Sequence, residues 1–526
     1  MNSSINHYEI YEEGNENVQK AGLAFMMIFL AFPILYLNIH SSSNTSPNNK
    51  KMMAKVNNNP IEFILQHLSP FACAKKIILT LGSYFLDEIR SVNNRPHQHL
   101  YTKIRGEWYD FAKFDHPGGP IALNLVRNRD ATALFESHHL LSSRQKMNKI
   151  LSKYKVDTNI AKNLKTFDAR DDGAHYEWND YENDAFVQDL KKVLIEYFEP
   201  IAKQRNCSIY EATKASPQRW LLICTLFLSF AATIPSYIHG EFWTLLVTPQ
   251  LAWVVIANYW HDGLHFSLSS DWRINAFLPY LMPMLSSPWL WYHQHVIGHH
   301  AYTNIGYKDP DLAHAPQLLR EHKSIKWKPL HQSQGTYIRL VSVWSIAASL
   351  GLNFLNDLRA NIKLTYNNVV PYAKLTHGRL VSHLLGRCLY VFLVFIWPFQ
   401  KFSTSKALLW VIVSNVSFSL AFMLNSQINH LSEECADAFD TNFLKHQVIT
   451  AQNFGCSSWF CGFYSGHLNH QIEHHLFPFV NHCHLPHLAP LVEKVCKKHN
   501  VVYNKSKGYI DAFQKHFDHT KGLSKR

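Results

Sequence analysis

The chain has 526 residues, of which 47% are hydrophobic and 17% charged, with a formal net charge of +12 and a mean hydropathy of -0.17. This balance excludes a chain buried in lipid throughout and is lean in charge for a soluble protein of this size, which leaves membrane spans combined with soluble parts. The basic residues are scattered through loops and tails rather than gathered on a nucleic-acid module, so no nucleic acid partner is expected and a face against anionic membrane lipid accounts for them.

Residues 22–39 are apolar over 18 positions, close to the roughly 20 needed to span a bilayer. A net-acidic stretch precedes them, and Lys50, Lys51 and Lys55 follow. The positive-inside rule then puts the N-terminus in the lumen and the following segment in the cytosol, as an uncleaved anchor, with a targeting peptide as the alternative. A glycan on Asn44, which sits in an Asn-Thr-Ser sequon, would contradict that topology. Residues 1–60 thus read as an anchor and a Ser/Asn-rich linker. The apolar patches of 61–89, interrupted by Pro70, Lys75 and Lys76, read as packed or surface-lying helices. The expected division beyond them is a soluble domain at 98–165, a connector at 166–218, a membrane domain at 219–490 and a basic cytosolic tail at 491–526. None of the nine cysteines forms a CxxC pair, which speaks against a zinc ribbon and for a reducing compartment.

In the soluble domain, 104-IRGEWYDFAKFDHPGG-119 reads as strand, tight turn, strand, then His-Pro-Gly-Gly. Two glycines after His116 let the backbone approach a flat cofactor, and Pro117 sets the turn. A second imidazole comes from His139, with His138 as its competitor. A lone HPGG is more often a turn, but with a downstream Phe-x-x-x-His it points to haem held by two imidazoles, a carrier of electrons rather than of oxygen.

In the membrane domain, 220–238 with 242–260, and 380–399 with 407–428, form two hairpins of spans. Residues 274–292, broken by Pro279, Pro283 and Pro288, and residues 336–354, broken by Arg339, read as half-inserted or interfacial, with ordinary buried helices as the alternative. Polar clusters sit at the ends of these segments: His261 and His265; His295, His299 and His300; His430; and Gln471 with His474 and His475. Histidines four apart share a helix face, while an adjacent pair splays by about 100° and suits two neighbouring metals. Eight imidazoles exceed what one ion needs, and a structural zinc site would use four ligands, usually with cysteine. Imidazole alone does not choose among iron, zinc, copper and nickel. With an even number of crossings, all clusters share the cytosolic face.

Together HPGG (116–119), HDGLH (261–265), QHVIGHH (294–300) and QIEHHLFP (471–478) resemble the front-end fatty-acid desaturases, whose N-terminal cytochrome-b5-like domain is fused to a di-iron membrane core. The resemblance covers roughly 98–490. It implies a mostly α fold: a multi-span helical core with a small α+β haem domain. It implies haem b on His116 and His139, and two non-haem irons on His261, His265, His295, His299, His300, His474 and His475. Related desaturases suggest His430 as a further ligand, and Gln471 matches the glutamine that marks front-end members. The chain departs from the family at LYTKI (100–104), at His467 and His470, and in its N-terminal apolar segment.

The implied reaction is O2-dependent insertion of a cis double bond between an existing double bond and the carboxyl end of a polyunsaturated acyl chain. An NADH-dependent cytochrome b5 reductase is the implied electron source and the endoplasmic reticulum the implied membrane. The context QHVIGHHAYTN leans toward the Δ5 position over Δ4, Δ6 and Δ8. A sphingolipid long-chain-base desaturase, a hydroxylase or acetylenase on the same core, and a haem-bearing electron carrier with an inactive core are the alternatives.

Overall fold

The structure is a computed structural model that describes residues 99–167, 178, 184–282, 287–348, 355–367 and 369–526. The expected anchor at 22–39, the linker that follows it and the patches of 61–89 lie outside the described residues.

The soluble domain opens with an antiparallel hairpin, Tyr101–Ile104 against Glu107–Asp110. Its two-residue turn, Arg105 and Gly106, has φ of 52° and 80°, the paired positive values that match the twist of the flanking strands. Short helices Gly119–Leu125, Thr132–His138 and Arg144–Ser152 follow. Leu100, Ile104, Tyr109, Phe111, Ala131 and Leu151 make its own small core. That core is too small to stand for the whole domain: Ile121 and Leu125 are buried in the main core of the membrane domain instead. The haem-like domain is therefore packed onto the membrane domain, and the Arg129 guanidinium donates to the Pro371 carbonyl across the junction.

Among the described residues three helical stretches are long and apolar enough to cross a membrane: Ile209–His239, His377–Lys401 and Thr404–Gln427. They cover three of the four expected spans. The fourth, at 242–260, is a helix Thr244–Val255 that runs through a π-helical turn Ile256–Trp260 into His261–Leu264. Polar contacts pin these helices to one another where lipid offers no partner. Tyr237 donates to Ser414 at 3.2 Å, Gln250 to Ser417 Oγ at 2.9 Å and Tyr390 to Asn415 at 3.0 Å.

The two stretches read as half-inserted or interfacial behave differently. Residues 274–282 and 287–292 carry short helical pieces with Leu278, Leu281, Trp289 and Leu290 buried. In 336–354 the helix Tyr337–Ile346 turns Ile338 outward at 82% exposure while burying Leu340, Val343 and Trp344.

Residues 184–218 carry a 21-residue helix, Ala185–Arg205, that starts on an Asp184 cap. Its Phe186, Leu190, Leu194 and Phe198 are buried in one cluster with Leu488, Val492 and Val495 of the helix Leu485–Lys498. Residues 491–526, basic in composition, are folded: the strand Asn504–Ser506 pairs in parallel with Gln452–Phe454, and a helix Tyr509–Gly522 follows.

Candidate metal centre

Four segments meet at one buried point, with the histidines in their helices or in the turns that end them. His261 begins the helix His261–Leu264 and His265 caps it. His295 and His299 lie in a π-helix, Tyr292–His299, not in a regular α-helix. The His300 N–H donates to the His295 carbonyl five residues back at 2.9 Å. The wider turn puts His295 in a set with His261, His265 and His474 and His299 in one with His430 and His475, while the two also share a set with Asp311 at the same 4.8 Å limit. His474 and His475 lie in the helix Gln471–Leu476, and His430 follows the helix Thr404–Gln427.

The imidazoles sort into two groups. His261, His265, His295 and His474 place ligand atoms within 4.8 Å of one another, as do His299, His430 and His475; His300 joins His474 and His475 in a third set at the same limit. The rings of adjacent pairs stand nearly perpendicular, His299 to His300 at 86° and His474 to His475 at 90°. The Nε2 atoms face each other: His261 and His295 at 2.8 Å, His295 and His300 at 3.2 Å, His300 and His474 at 3.1 Å, His299 and His430 at 3.4 Å. Nitrogens that share one metal at ~2.1 Å lie roughly 3 Å apart. His265 Nδ1 and Nε2 and His475 Nε2 are buried and have no protein partner. Lone pairs converging in a dry site, with no proton donor to satisfy them, fit a pair of cations.

Gln471 lies beside this set. Its Nε2 is 3.0 Å from His430 Nε2, and its Oε1 accepts from Asn429 at 3.2 Å. The opposite amide orientation would place the oxygen beside His430 instead.

Outer partners fix which ring nitrogen is free. His299 Nδ1 donates to Asp309 Oδ2 at 3.0 Å, His430 Nδ1 to the Thr450 carbonyl at 3.0 Å, and His475 Nδ1 to Gln447 Oε1 at 2.8 Å. In the neutral ring each arrangement leaves Nε2 unprotonated and aimed inward, the usual way a ligand histidine is oriented, and at His299 a bound cation would have to displace the Nε2 proton. Burial, and after it the neighbouring imidazoles, holds His295, His300, His474 and His475 well below the ordinary histidine range, so they are neutral, as ligands must be. His299 is the exception: burial opposes its charge, but the Asp309 and Asp311 carboxylates overcome burial and raise it to about 9. Asp309 and Gln447 were not singled out in the sequence. The only hint was acidic residues nine and eleven positions after His300, at Asp309 and Asp311.

A cleft reaches this centre. Trp253, Ile256, Trp260, Trp291, Phe422 and Leu468 line it, and His261, His295, His299, His430 and Gln471 lie along the same wall.

In the haem-like domain, the His116 and His139 rings are 5.9 Å apart at 81°. Two axial imidazoles on one metal at ~2.0 Å bonds put their centroids roughly 6 Å apart. His139 Nδ1 donates to the Phe135 carbonyl at 2.8 Å, which frees Nε2. His138, its competitor, turns its Nδ1 to the Leu134 carbonyl at 3.1 Å. Burial, with His139 nearby, lowers His116 to about 4, again a neutral imidazole. A Cβ on Gly118 would fall 2.9 Å from the His116 ring, so the glycine keeps the space beside the imidazole open.

Residues 206–507 match the model of the fatty acid desaturase family, and residues 86–158 that of the cytochrome b5-like heme/steroid binding domain. The chain belongs to the fatty acid desaturase family. This desaturase is 29% identical to an acyl-lipid (8-3)-desaturase of Physcomitrium patens, over 84% of this chain and 91% of the relative. It is 26% identical to Delta(5) fatty acid desaturase A of Dictyostelium discoideum, over 84% of this chain and 94% of the relative. It is also 26% identical to an acyl-lipid omega-13 desaturase of Chlamydomonas reinhardtii, over 82% and 94%. No solved structure matches the desaturase.

Proposed function

We propose that this desaturase is a front-end enzyme that inserts a cis double bond on the carboxyl side of an existing one in a polyunsaturated acyl chain, with Δ5 as the favoured position. The observation that carries the reading is the two groups of imidazoles, with Nε2 atoms facing each other, beside an apolar cleft. The relatives named for (8-3) and Delta(5) activity support the position.

Two irons would be held by His261, His265, His295 and His474 on one side and by His299, His430 and His475 on the other, with His300 between them and Gln471 at the edge. When bound, the iron pair together with O2 supplies the oxidising power that an unactivated mid-chain methylene requires. The balance is one O2, two hydrogens from adjacent carbons, two electrons from outside and two protons, giving one double bond and two waters. Trp253, Trp260, Trp291 and Phe422 hold the acyl chain and keep water away from the reacting carbons. Asp309, Gln447 and the Thr450 carbonyl hold the ligand rings in the inward-facing tautomer. His116 and His139 would hold haem b, and a haem held by two imidazoles would supply electron transfer. Packing of its domain on the core removes the search that a free carrier would need. An NADH-dependent cytochrome b5 reductase is the proposed electron source. The proposed place is the endoplasmic reticulum membrane, with both centres facing the cytosol.

The test is expression in yeast fed individual polyunsaturated acids, with double bonds mapped by mass spectrometry. A new Δ5 bond supports the reading in full. A bond elsewhere on the carboxyl side keeps the front-end class and removes Δ5. Products from fed sphingoid bases alone would overturn it, as would purified protein with no iron beyond its haem.

A further inference from the structure

His482 lies outside the four histidine clusters of the sequence, yet it is completely buried against one of them. Its Nε2 is 3.2 Å from His474 Nδ1. Its Nδ1 faces two groups that can only accept: the Gly466 carbonyl at 3.0 Å and Asp262 Oδ1, also at 3.0 Å. In the neutral ring, with acceptors alone on that side, the His482 hydrogen sits on Nδ1 and its Nε2 accepts. The hydrogen between the two rings then belongs to His474 Nδ1, and His474 Nε2 is left bare, pointing at His300 Nε2 3.1 Å away.

The anchoring of His482 is built from three distant segments. Asp262 is fully buried, and its Oδ2 accepts from Arg219 at 3.2 Å and from Asn481 at 2.9 Å. Arg219 is held in turn by Asn258 Oδ1 at 2.7 Å. Gly466 has φ of +64°, and a Cβ there would fall 2.4 Å from the Ala257 carbonyl oxygen. Only glycine sets that carbonyl where His482 meets it. Asn481 also takes the Cys483 N–H at 3.1 Å, capping the turn that carries His482.

We propose that His482 is a positioning residue of the metal centre: it accepts the hydrogen bond of His474 Nδ1 and thereby makes His474 Nε2 the coordinating atom. The proposal rests on the reading of the cluster as a di-iron site. His482 together with His261 and Asp262 also places ligand atoms within 4.8 Å, so direct coordination is the rival arrangement. It is disfavoured because both ring nitrogens of His482 already face protein partners.

The test uses the full-length, haem-loaded desaturase and reads release of non-haem iron to a competing chelator, beside X-ray absorption to count imidazoles per iron. Loss of an outer partner of this kind typically weakens metal affinity ~10–100-fold. His482→Ala is expected to show that loss, with the haem absorbance unchanged and the imidazole count at saturating iron equal to that of the parent. His482→Gln, whose amide oxygen restores an acceptor near the Nε2 position, is expected to recover most of the affinity. Parent-like affinity in His482→Ala overturns the proposal. So does a lower imidazole count at saturating iron, which would make His482 a ligand, and so does a Gln variant no better than Ala. If the Ala variant loses its haem band through misfolding, His482→Gln decides alone. A parent protein with no non-haem iron at all ends the di-iron reading itself, a result separate from any difference between variants.

Discussion

Gly119, the last residue of the HPGG motif, lies flat against the indole of Trp272: a Cβ on the glycine would fall 2.2 Å from Trp272 Cδ2. The glycine has φ of +81°, so it meets two demands, left-handed backbone and close approach. Trp272 lies seven residues after His265 and opens the helix Trp272–Phe277. One contact thus joins the haem-like domain to the segment that follows the first histidine cluster.

Gly119→Ala is therefore expected to disturb the docking of the domain more than its own core, which lies on the hairpin side. Stopped-flow reoxidation of reduced haem in the presence of acyl substrate should slow at least tenfold, while non-haem iron content stays at the parent level. Unchanged reoxidation would mean that the junction is not on the route of electrons.

Asp309 is fully buried and takes both the His299 Nδ1–H, at 3.0 Å, and the Asn304 N–H, at 2.8 Å. Asp309→Asn keeps the shape but removes the charge and can present an NH2 where an acceptor is needed. Iron affinity should fall ~10–100-fold, measured by chelator competition with haem absorbance as the internal control. An unchanged affinity would show that His299 needs no outer partner.

Gln471 sits within reach of His430 but holds its oxygen toward Asn429. An imidazole at this corner is a stronger ligand than an amide. Gln471→His is expected to retain iron and to lower turnover, because it fills an edge of the site left weakly ligated. A variant as active as the parent would count against a role for that open corner.

Glu321 supplies a pH dependence of stability. It is 2% exposed; burial, and then the Asp311 carboxylate, pushes it up to about 8 from 4.5. Its folded value lies above its unfolded one, so the folded chain binds the extra proton between those two values. Stability from this group is full below pH 4.5 and is lost progressively as the pH rises toward about 8. Glu321→Gln should abolish that decline, so the Tm difference between variant and parent should widen from pH 5 to pH 8 in differential scanning fluorimetry. A constant difference across the range would sink the assignment.

The histidine clusters were legible because their signal is local: each cluster is a short run at ligand spacing beside an apolar stretch of span length. The HPGG turn and the two-residue hairpin turn before it were legible for the same reason, since backbone conformation at glycine is a local matter. His482 was not legible. Its value comes from Asp262, Gly466 and His474, which reach it from three other points in the chain. The π-helical turn at Tyr292–His299 was also hidden, because an extra residue per turn leaves no mark in the spacing of residues.

By itself the sequence determined the chemistry on offer: many imidazoles, one amide, apolar segments long enough for a bilayer and a glycine turn suited to a flat cofactor. Only the tertiary structure decided which imidazoles share a point, which ring nitrogen of each faces inward, and that Ile121 and Leu125 of the haem-like domain bury themselves in the membrane domain's core. The physical reason is that tautomer and partition depend on hydrogen-bond partners far away in the chain. Those partners exist only once the polar groups are buried together and must satisfy one another.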